Sequence, residues 1–237
     1  MNGSGTGLAP EPAQGASPKG RSPLAHLLHA LNQPLTGLQC SLELALAGPR
    51  RPEQYARALR EGLDLTARMR VLVEAIRELA DLEQEEMGGS ATVRLDALLR
   101  DTVEELRPVA ECRSLRLSAN CEAALPLQID RRFLVPLMFR FLECALSLAA
   151  EGSDLLITAT TEQNRAVLAV SWNDGPAPEY SPFSRAELGL IIAQAGWKQA
   201  GAQWERKQLG GRQTCTVRWP LAASPANSLT PEGEDLP

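Results

Sequence analysis

The sequence predicts two different folded parts, a long helical hairpin followed by an α/β-sandwich in which helices cover one sheet. Apolar or small residues, mainly leucines in the first segment, recur at alternating steps of four and three over two long segments, which is the heptad pattern of packed helices. After Gly88-Gly89, helical segments alternate with short strands whose apolar residues recur at every second position. Such an arrangement is typical of an α+β fold with one helix-covered sheet.

The first helix is predicted to begin at Ser22-Pro23, a capping residue followed by a proline at the first helical position. Gly48-Pro49 ends this helix, and a second helix is predicted from about residue 53 to residue 86. A hairpin with a broad apolar stripe cannot cover that stripe alone, so we expect a homodimer that forms a four-helix bundle. The predicted seam of the first helix consists of Leu24, Leu28, Leu31, Leu35, Leu38, Leu42 and Ala45.

The second part is predicted to contain three helices and a sheet of antiparallel strands. We place the helices at residues 95–113, 130–150 and 185–201, and strands at 115–120, 154–162 and 166–174. Residues 203–221 form a further hairpin that turns at Gly210-Gly211. The predicted division is a disordered tail over 1–22, the helical hairpin over 23–87, the sheet domain over 90–222 and a disordered acidic tail over 223–237.

Composition excludes several classes of protein. The 237-residue chain carries a net charge of -5 and has no cluster of basic and aromatic residues, so nucleic acid is not an expected partner. Its five cysteines are scattered and contain no CxxC pair, which argues against a disulfide framework and against a metal site. No apolar run is long enough for a membrane span or a signal peptide. We therefore expect a cytoplasmic protein that does not bind membranes.

A row of reactive or polar side chains lies just outside the apolar seam of the first helix. His29, Gln33, Thr36 and Cys40 follow steps of four and three, which places them along one solvent-facing ridge. An exposed imidazole titrates near neutral pH, so much of it is unprotonated and can act as a nucleophile. The alternative interpretation is an ordinary surface histidine, with Pro34 as a tolerated bend in the helix.

The stretch HALNQPLTGL, residues 29 to 38, resembles the phosphoacceptor box of bacterial two-component sensor histidine kinases, in the sub-type whose box reads H-E-L-N-Q-P-L. The resemblance continues in order over residues 24 to 221. It implies a dimerisation and histidine-phosphotransfer hairpin followed by a Bergerat-type, histidine kinase-like ATPase domain. By this resemblance His29 is the phosphoacceptor, the bend at Pro34 lets the bundle flex where partners dock, and Gln33 positions a water for dephosphorylating a bound receiver.

Several positions depart from the pattern of that family. The residue after the phosphoacceptor is usually a carboxylate that acts as a general base, and here it is Ala30. In the segment that should hold Mg²⁺, asparagines are replaced by Arg140 and Cys144. A thiol is a poor ligand for a hard cation that prefers oxygen. The alternative interpretation is that Cys144 is simply a buried helix residue.

The remaining nucleotide-binding segments depart from the family as well. Asn173 stands where an adenine-binding aspartate is expected; Gly175 is retained, whereas Ala177 and Pro178 replace the residues that usually follow. Gly189 is retained, but Glu187 replaces the first glycine of its segment, and we expect its carboxylate to repel a triphosphate. Only 15 residues separate Asn173 from Gly189, too few for a long lid. Alternatively, residues 173–175 form a turn and Gly189 marks a close helix contact.

The sequence therefore predicts a phosphorelay protein in which His29 exchanges a phosphoryl group with the aspartate of response-regulator receiver domains. ATP binding is expected to be lost from the degenerate pocket at Cys144, Asn173, Gly175 and Gly189, so no cofactor is expected. One alternative is a divergent but active ATP-dependent histidine kinase that uses ATP and Mg²⁺. Another is a non-enzymatic pseudokinase that acts by dimerisation.

Overall fold

The computed structural model describes residues 22–49, 51–84, 88, 91–122, 124–175 and 184–221. Both predicted tails, apart from Ser22, lie outside these described residues, as do Ala177 and Pro178 and the rest of the segment 176–183. The hairpin consists of helix α1 (Pro23–Leu46), which continues through Pro34, and helix α2 (Pro52–Gln84). Both helices match the predicted hairpin to within a few residues.

The two helices of the hairpin contact each other through part of the predicted stripe and through residues beside it. Leu27 and Ala30 are buried, whereas Leu28, Leu35 and Leu42 of the predicted seam remain exposed. Small residues set the register, since a methyl group added at Gly62 would lie only 3.2 Å from Leu38 Cδ1. The heptad pattern of α1 therefore contains a partly buried row (Leu24, Leu31, Leu38 and Ala45) and a row that the hairpin itself leaves exposed (Leu28, Leu35 and Leu42).

The second part of the chain is built around a mixed sheet. In order it contains β1 (Ala91–Arg94), α3 (Leu95–Cys112), β2 (Arg116–Cys121), β3 (Pro126–Ile129), α4 (Arg131–Leu148), β4 (Asp154–Glu162), β5 (Arg165–Asn173), α5 (Arg185–Gln199), β6 (Gln203–Leu209) and β7 (Arg212–Pro220). Five strands form the main sheet in the order β2-β4-β5-β7-β6, and β1 pairs with β3 separately.

Two features of the sheet differ from the prediction. Strand β2 pairs with β4 in parallel, not antiparallel, because the chain between them crosses over through β3 and α4. The pair β1–β3 was not predicted, because strands of four residues are too short to show a clear alternation. The other strands of the sheet are antiparallel, with β4 and β5 paired from Leu155 opposite Trp172 to Glu162 opposite Arg165.

One face of the main sheet is covered by helices and forms a continuous apolar core. Alternate residues of β5 and β7, among them Trp172 and Trp219, are buried on this face. Edge-on aromatic contacts link α4, α5 and the sheet: Phe141 packs on Trp197 at 6.0 Å between ring centroids, and Trp197 packs on Trp219 at 4.9 Å. All four tryptophans of the chain lie in this part.

Helix α5 is apolar on two faces because it is packed between two partners. Gly189 and Gly196, two turns apart, lie against α4, where an added methyl group would collide with Cys144 Sγ and would lie 2.7 Å from Leu137 Cδ1. Leu188 and Ile192 face away from this contact and pack in a cluster with residues of the hairpin. The absence of side chains at the two glycines thus lets α4 and α5 approach closely.

The contact between Gly189 and Cys144 can be tested by a double-mutant cycle. Gly189→Ala places a methyl group against the sulfur, and we expect overpacking to lower the free energy of unfolding by about 1–3 kcal/mol before a helix-propensity gain of about 1 kcal/mol. Cys144→Ala removes the sulfur, and the Cβ of residue 144 would lie 3.9 Å from the methyl group added at Gly189, which is an ordinary contact distance. Cys144→Ala should therefore destabilise the wild type but stabilise the Gly189→Ala protein.

Urea unfolding followed by tryptophan fluorescence measures this cycle, because every tryptophan lies in the sheet domain. Gly201→Ala serves as the control for general effects of alanine, since its methyl group would meet no atom within 4 Å, although its positive φ of 75° adds local strain. Equal effects of Cys144→Ala in both backgrounds would contradict a direct contact.

Candidate functional site

The predicted ridge of α1 is exposed in the structure. His29, Gln33, Thr36 and Cys40 all lie on the solvent-accessible side of the helix. Thr36 Oγ1 donates a hydrogen bond to the carbonyl oxygen of Asn32 at 2.9 Å, which ties the hydroxyl to its own helix. The imidazole of His29 is thus accessible to a second macromolecule.

The residue next to His29 points in a different direction. Ala30 is buried, at 4% exposure, in a cluster formed by α1, α2 and α5. The other buried members of this cluster are Leu27, Leu72, Ala75, Leu79, Leu188 and Ile192. A carboxylate at position 30 would enter this apolar cluster, where an unpaired charge is costly.

All four predicted nucleotide-pocket positions lie around the C-terminal half of α4 and the residues that follow it. Cys144 packs against Gly189 of α5. The backbone N–H of Gly175 donates to the carbonyl of Leu148 at 2.9 Å, and the carbonyl of Asn173 accepts from Ala150 N–H at 2.9 Å. The side chain of Asn173 remains exposed at the end of β5. The segments are therefore close together, but their contacts are mainly packing and backbone hydrogen bonds.

The chemistry of Cys144 does not suit a magnesium ion. Burial raises the pKa of its thiol to about 12, and the charge of Glu143 contributes in the same direction. The thiol therefore stays protonated at neutral pH. A neutral thiol offers no ligand of the oxygen type that Mg²⁺ prefers.

Glu187 has a structural role that the sequence interpretation missed. Its backbone N–H donates to Ser184 Oγ at 3.1 Å, so Ser184 caps α5 in an S-x-x-E pattern. Its carboxylate accepts two hydrogen bonds from Arg206, at 2.9 and 3.2 Å. Burial lowers the pKa of Arg206, but its interactions with Glu187 outweigh burial and raise that pKa overall. The expected repulsion of phosphate by Glu187 is thus reduced by the positive charge of Arg206.

A polar network continues from Arg206 to the end of β5. Arg206 Nε donates to Gln213 Oε1 at 3.2 Å, and Gln213 Nε2 donates to Asp174 Oδ2 at 3.1 Å. Asp174 Oδ2 also accepts from Gln208 Nε2 at 2.8 Å. Asp174 is distant in the sequence from Gln208 and Gln213, so its place in the network depends on the pairing of β5 with β7.

Acidic side chains of the hairpin reach the same region from the opposite side. A cavity of about 280 Å³ lies between α2, α4 and α5. Glu78 forms an ion pair with Arg140, and Glu74 lies 3.7 Å from Arg185. The charged lining of the cavity comprises Glu74, Glu78, Glu143, Arg140 and Arg185. No motif indicated these glutamates, because charged residues on a long helix are typical of any solvated face.

The described residues contain neither a cluster of metal-binding side chains nor a membrane-spanning helix. Within these residues, no group of three or more His, Cys, Asp or Glu side chains is arranged to hold a metal ion. In the same part of the chain, every helix is too short or too polar to cross a bilayer.

Comparison with known proteins identifies the hairpin. Residues 23–85 match the His Kinase A (phospho-acceptor) domain family. This match covers nearly all of α1 and α2 and includes His29. No curated protein matches the chain in sequence.

Solved structures show the same fold over most of the chain. Acinetobacter baumannii histidine kinase AdeS superposes with a TM-score of 0.53 at 18% identity, over 81% of this chain and 98% of that one. Histidine kinase ThkA, solved in complex with response regulator protein TrrA, superposes with a TM-score of 0.57 at 16% identity. The match covers 84% of this chain and 60% of that one. Full-length ShkA in complex with AMPPNP superposes with a TM-score of 0.54 at 20% identity, over 85% of this chain and 46% of that one. Residues 23–85 therefore belong to the His Kinase A (phospho-acceptor) domain family, and the chain as a whole shares the fold of these solved histidine kinases.

Proposed function

We propose that this protein is a histidine phosphotransferase in which His29 accepts a phosphoryl group from a response-regulator receiver domain and passes it to another. The observation that carries the proposal is the exposed His29 within a hairpin that matches a phosphoacceptor domain. ThkA, which shares the fold, was solved in complex with a response regulator. A receiver partner fits this arrangement, and exchange with receivers implies a cytoplasmic location.

The proposed transfer needs little from this chain beyond an accessible imidazole. An unprotonated ring nitrogen of His29 attacks the phosphorus of the receiver's aspartyl phosphate, a P–N bond forms, the P–O bond breaks, and the aspartate leaves as a carboxylate. The reverse step returns the phosphoryl group to a second receiver. The receiver supplies Mg²⁺ and its own acidic pocket, so the missing carboxylate at Ala30 is less damaging here than in attack on ATP.

The residues of the cleft support the proposal that ATP binding is lost. Cys144 carries a neutral thiol, and its packing against Gly189 fills the space beside the glycine backbone. Three carboxylates, those of Glu74, Glu78 and Glu143, line the adjoining cavity against two guanidinium groups. An excess of carboxylates is unfavourable for a triphosphate. We therefore assign no nucleotide step to this domain and treat it as a scaffold and docking wall.

An apolar stripe on the outside of the hairpin supports a homodimer. Leu28, Leu35 and Leu42 of α1 lie seven residues apart and are 46, 51 and 45% exposed. Leu59, Thr66 and Val73 form a row of α2 with the same spacing of seven residues. Val73 and Leu59 are exposed too. Two heptad rows side by side are the surface that a second hairpin would cover.

Gln33 lies one turn from His29 on the same exposed ridge. Its amide could orient a water molecule for attack on the aspartyl phosphate of a docked receiver. We therefore include receiver dephosphorylation as a secondary activity of the same surface.

His29 should be essential for transfer. We expect His29→Ala to reduce the appearance of acid-labile, base-stable phosphate on this protein to background when it is mixed with phosphorylated receiver domains. His26→Ala, which changes the other exposed histidine of the helix, should keep wild-type transfer. Labelling of His29→Ala at the wild-type rate would refute the assignment.

The apolar stripe should control dimerisation. Leu35→Glu places a charge in the middle of the stripe of both copies, and the loss of two buried leucines should raise the dissociation constant more than a hundredfold, about 3 kcal/mol or more. Sedimentation velocity measures the change. Leu44→Glu is the matched control, because Leu44 is 59% exposed but lies outside the heptad row. A Leu35→Glu protein that stays dimeric at low concentration contradicts the proposed interface.

Nucleotide binding separates the proposal from an active kinase. We expect millimolar Mg²⁺–ATP to leave the unfolding temperature unchanged, because the protein does not bind it. A ligand that bound, present at 100 times its dissociation constant, would stabilise the protein by about 2.7 kcal/mol. Incubation with radiolabelled ATP should leave the protein unlabelled. Label on the wild type that is absent from His29→Ala would show instead that the chain is an ATP-dependent histidine kinase.

A further inference from the structure

The hairpin and the sheet domain share an apolar core of their own. Its buried members come from α1, α2 and α5, and none of them belongs to the core cluster of the sheet domain. On the side of α5, Leu188 and Ile192 are 3 and 6% exposed. Partly buried Ile191 and Ala195 of α5 extend the same contact. The interface therefore has the composition of a folded core, whereas mobile domain contacts are more polar.

Ala30 is the small residue that α1 contributes to this interface. It lies next to the exposed His29, yet its own side chain is buried in the interface cluster with Leu27, one turn earlier in α1. A longer side chain at position 30 would need space already filled by its neighbours. A charged one would also be buried without a partner in an apolar cluster.

Ion pairs flank this core on the side of α2. Glu74 lies near Arg185 at the start of α5, and Glu78, one turn further along α2, pairs with Arg140 of α4. All four side chains are substantially exposed, so the pairs contribute little to stability. The pairs instead orient the sheet domain relative to the hairpin, because they hold both α4 and α5 to the same face of α2.

We infer that the hairpin and the sheet domain form one rigid unit, locked by α5 over Ala30. In a family whose fold consists of two joined parts, the lock fixes the position of the second part beside the phosphoacceptor helix. The sheet domain is then an immobile wall next to His29. This inference rests on the proposed function and deepens it, since the sheet domain then acts as a scaffold by holding a fixed position beside His29. Its test does not depend on phosphoryl transfer.

The distance between two native cysteines measures the lock. Cys40 of α1 and Cys112 of α3 are both exposed, so each takes a nitroxide spin label in a Cys121→Ser background, in which the partly exposed third thiol is removed. Labelled protein diluted with unlabelled protein reports the distance within one chain. We expect one narrow distance distribution for the parent, measured by double electron–electron resonance.

Two substitutions approach the lock from opposite sides. Ala30→Asp on α1 and Leu188→Asp on α5 should each cause loss of the single narrow distance and its replacement by a broad distribution. Ala25→Asp, at an exposed position of the same helix, should keep the narrow one. Circular dichroism and tryptophan fluorescence check that both domains stay folded. Because Leu188→Asp leaves α1 unchanged, it decides the question if Ala30→Asp disrupts the hairpin itself.

A broad distribution in the parent, or a narrow one that survives in folded Leu188→Asp, would overturn the lock. The proposed function fails separately. A narrow distance in a protein that takes no phosphate at His29 refutes phosphotransfer alone, whereas a broad distance in a protein that does take phosphate refutes the lock alone.

Discussion

The close approach of α4 and α5 at Gly189 is the contact on which the arrangement of this protein depends. Because no side chain stands between the helices, Cys144 fills the space beside the glycine backbone. The same approach turns Leu188 and Ile192 of α5 outward, towards the hairpin. One glycine contact thus affects both the space between α4 and α5 and the surface through which the two parts of the chain meet.

Helix periodicity and turn residues were sufficient to predict most elements of the fold. The hairpin, the three later helices and the antiparallel strands follow from local patterns, because their apolar faces are large and regular. The short pair β1–β3 and the parallel pairing of β2 with β4 did not follow. Both are set by partners distant in sequence, which a local pattern does not encode.

The candidate site was predictable to a similar extent. Exposure of His29 followed from its place beside the heptad row, and the buried position of Cys144 from the strongly apolar character of its helix. The interactions of Glu187 and Asp174 were missed, since their partners Arg206, Gln208 and Gln213 come from the last two strands. For Glu187, the serine three residues earlier, Ser184, is a local sequence signal of a helix cap.

The position of α5 in the chain has a consequence for biosynthesis. The hairpin consists of local contacts and can form as soon as α2 leaves the ribosome, because short loops close quickly. Its apolar faces, however, stay open until residues 185–199 have been synthesised and α5 has docked. During that interval the nascent chain exposes leucines on more than one side, so we expect contacts between neighbouring nascent chains to compete with correct folding.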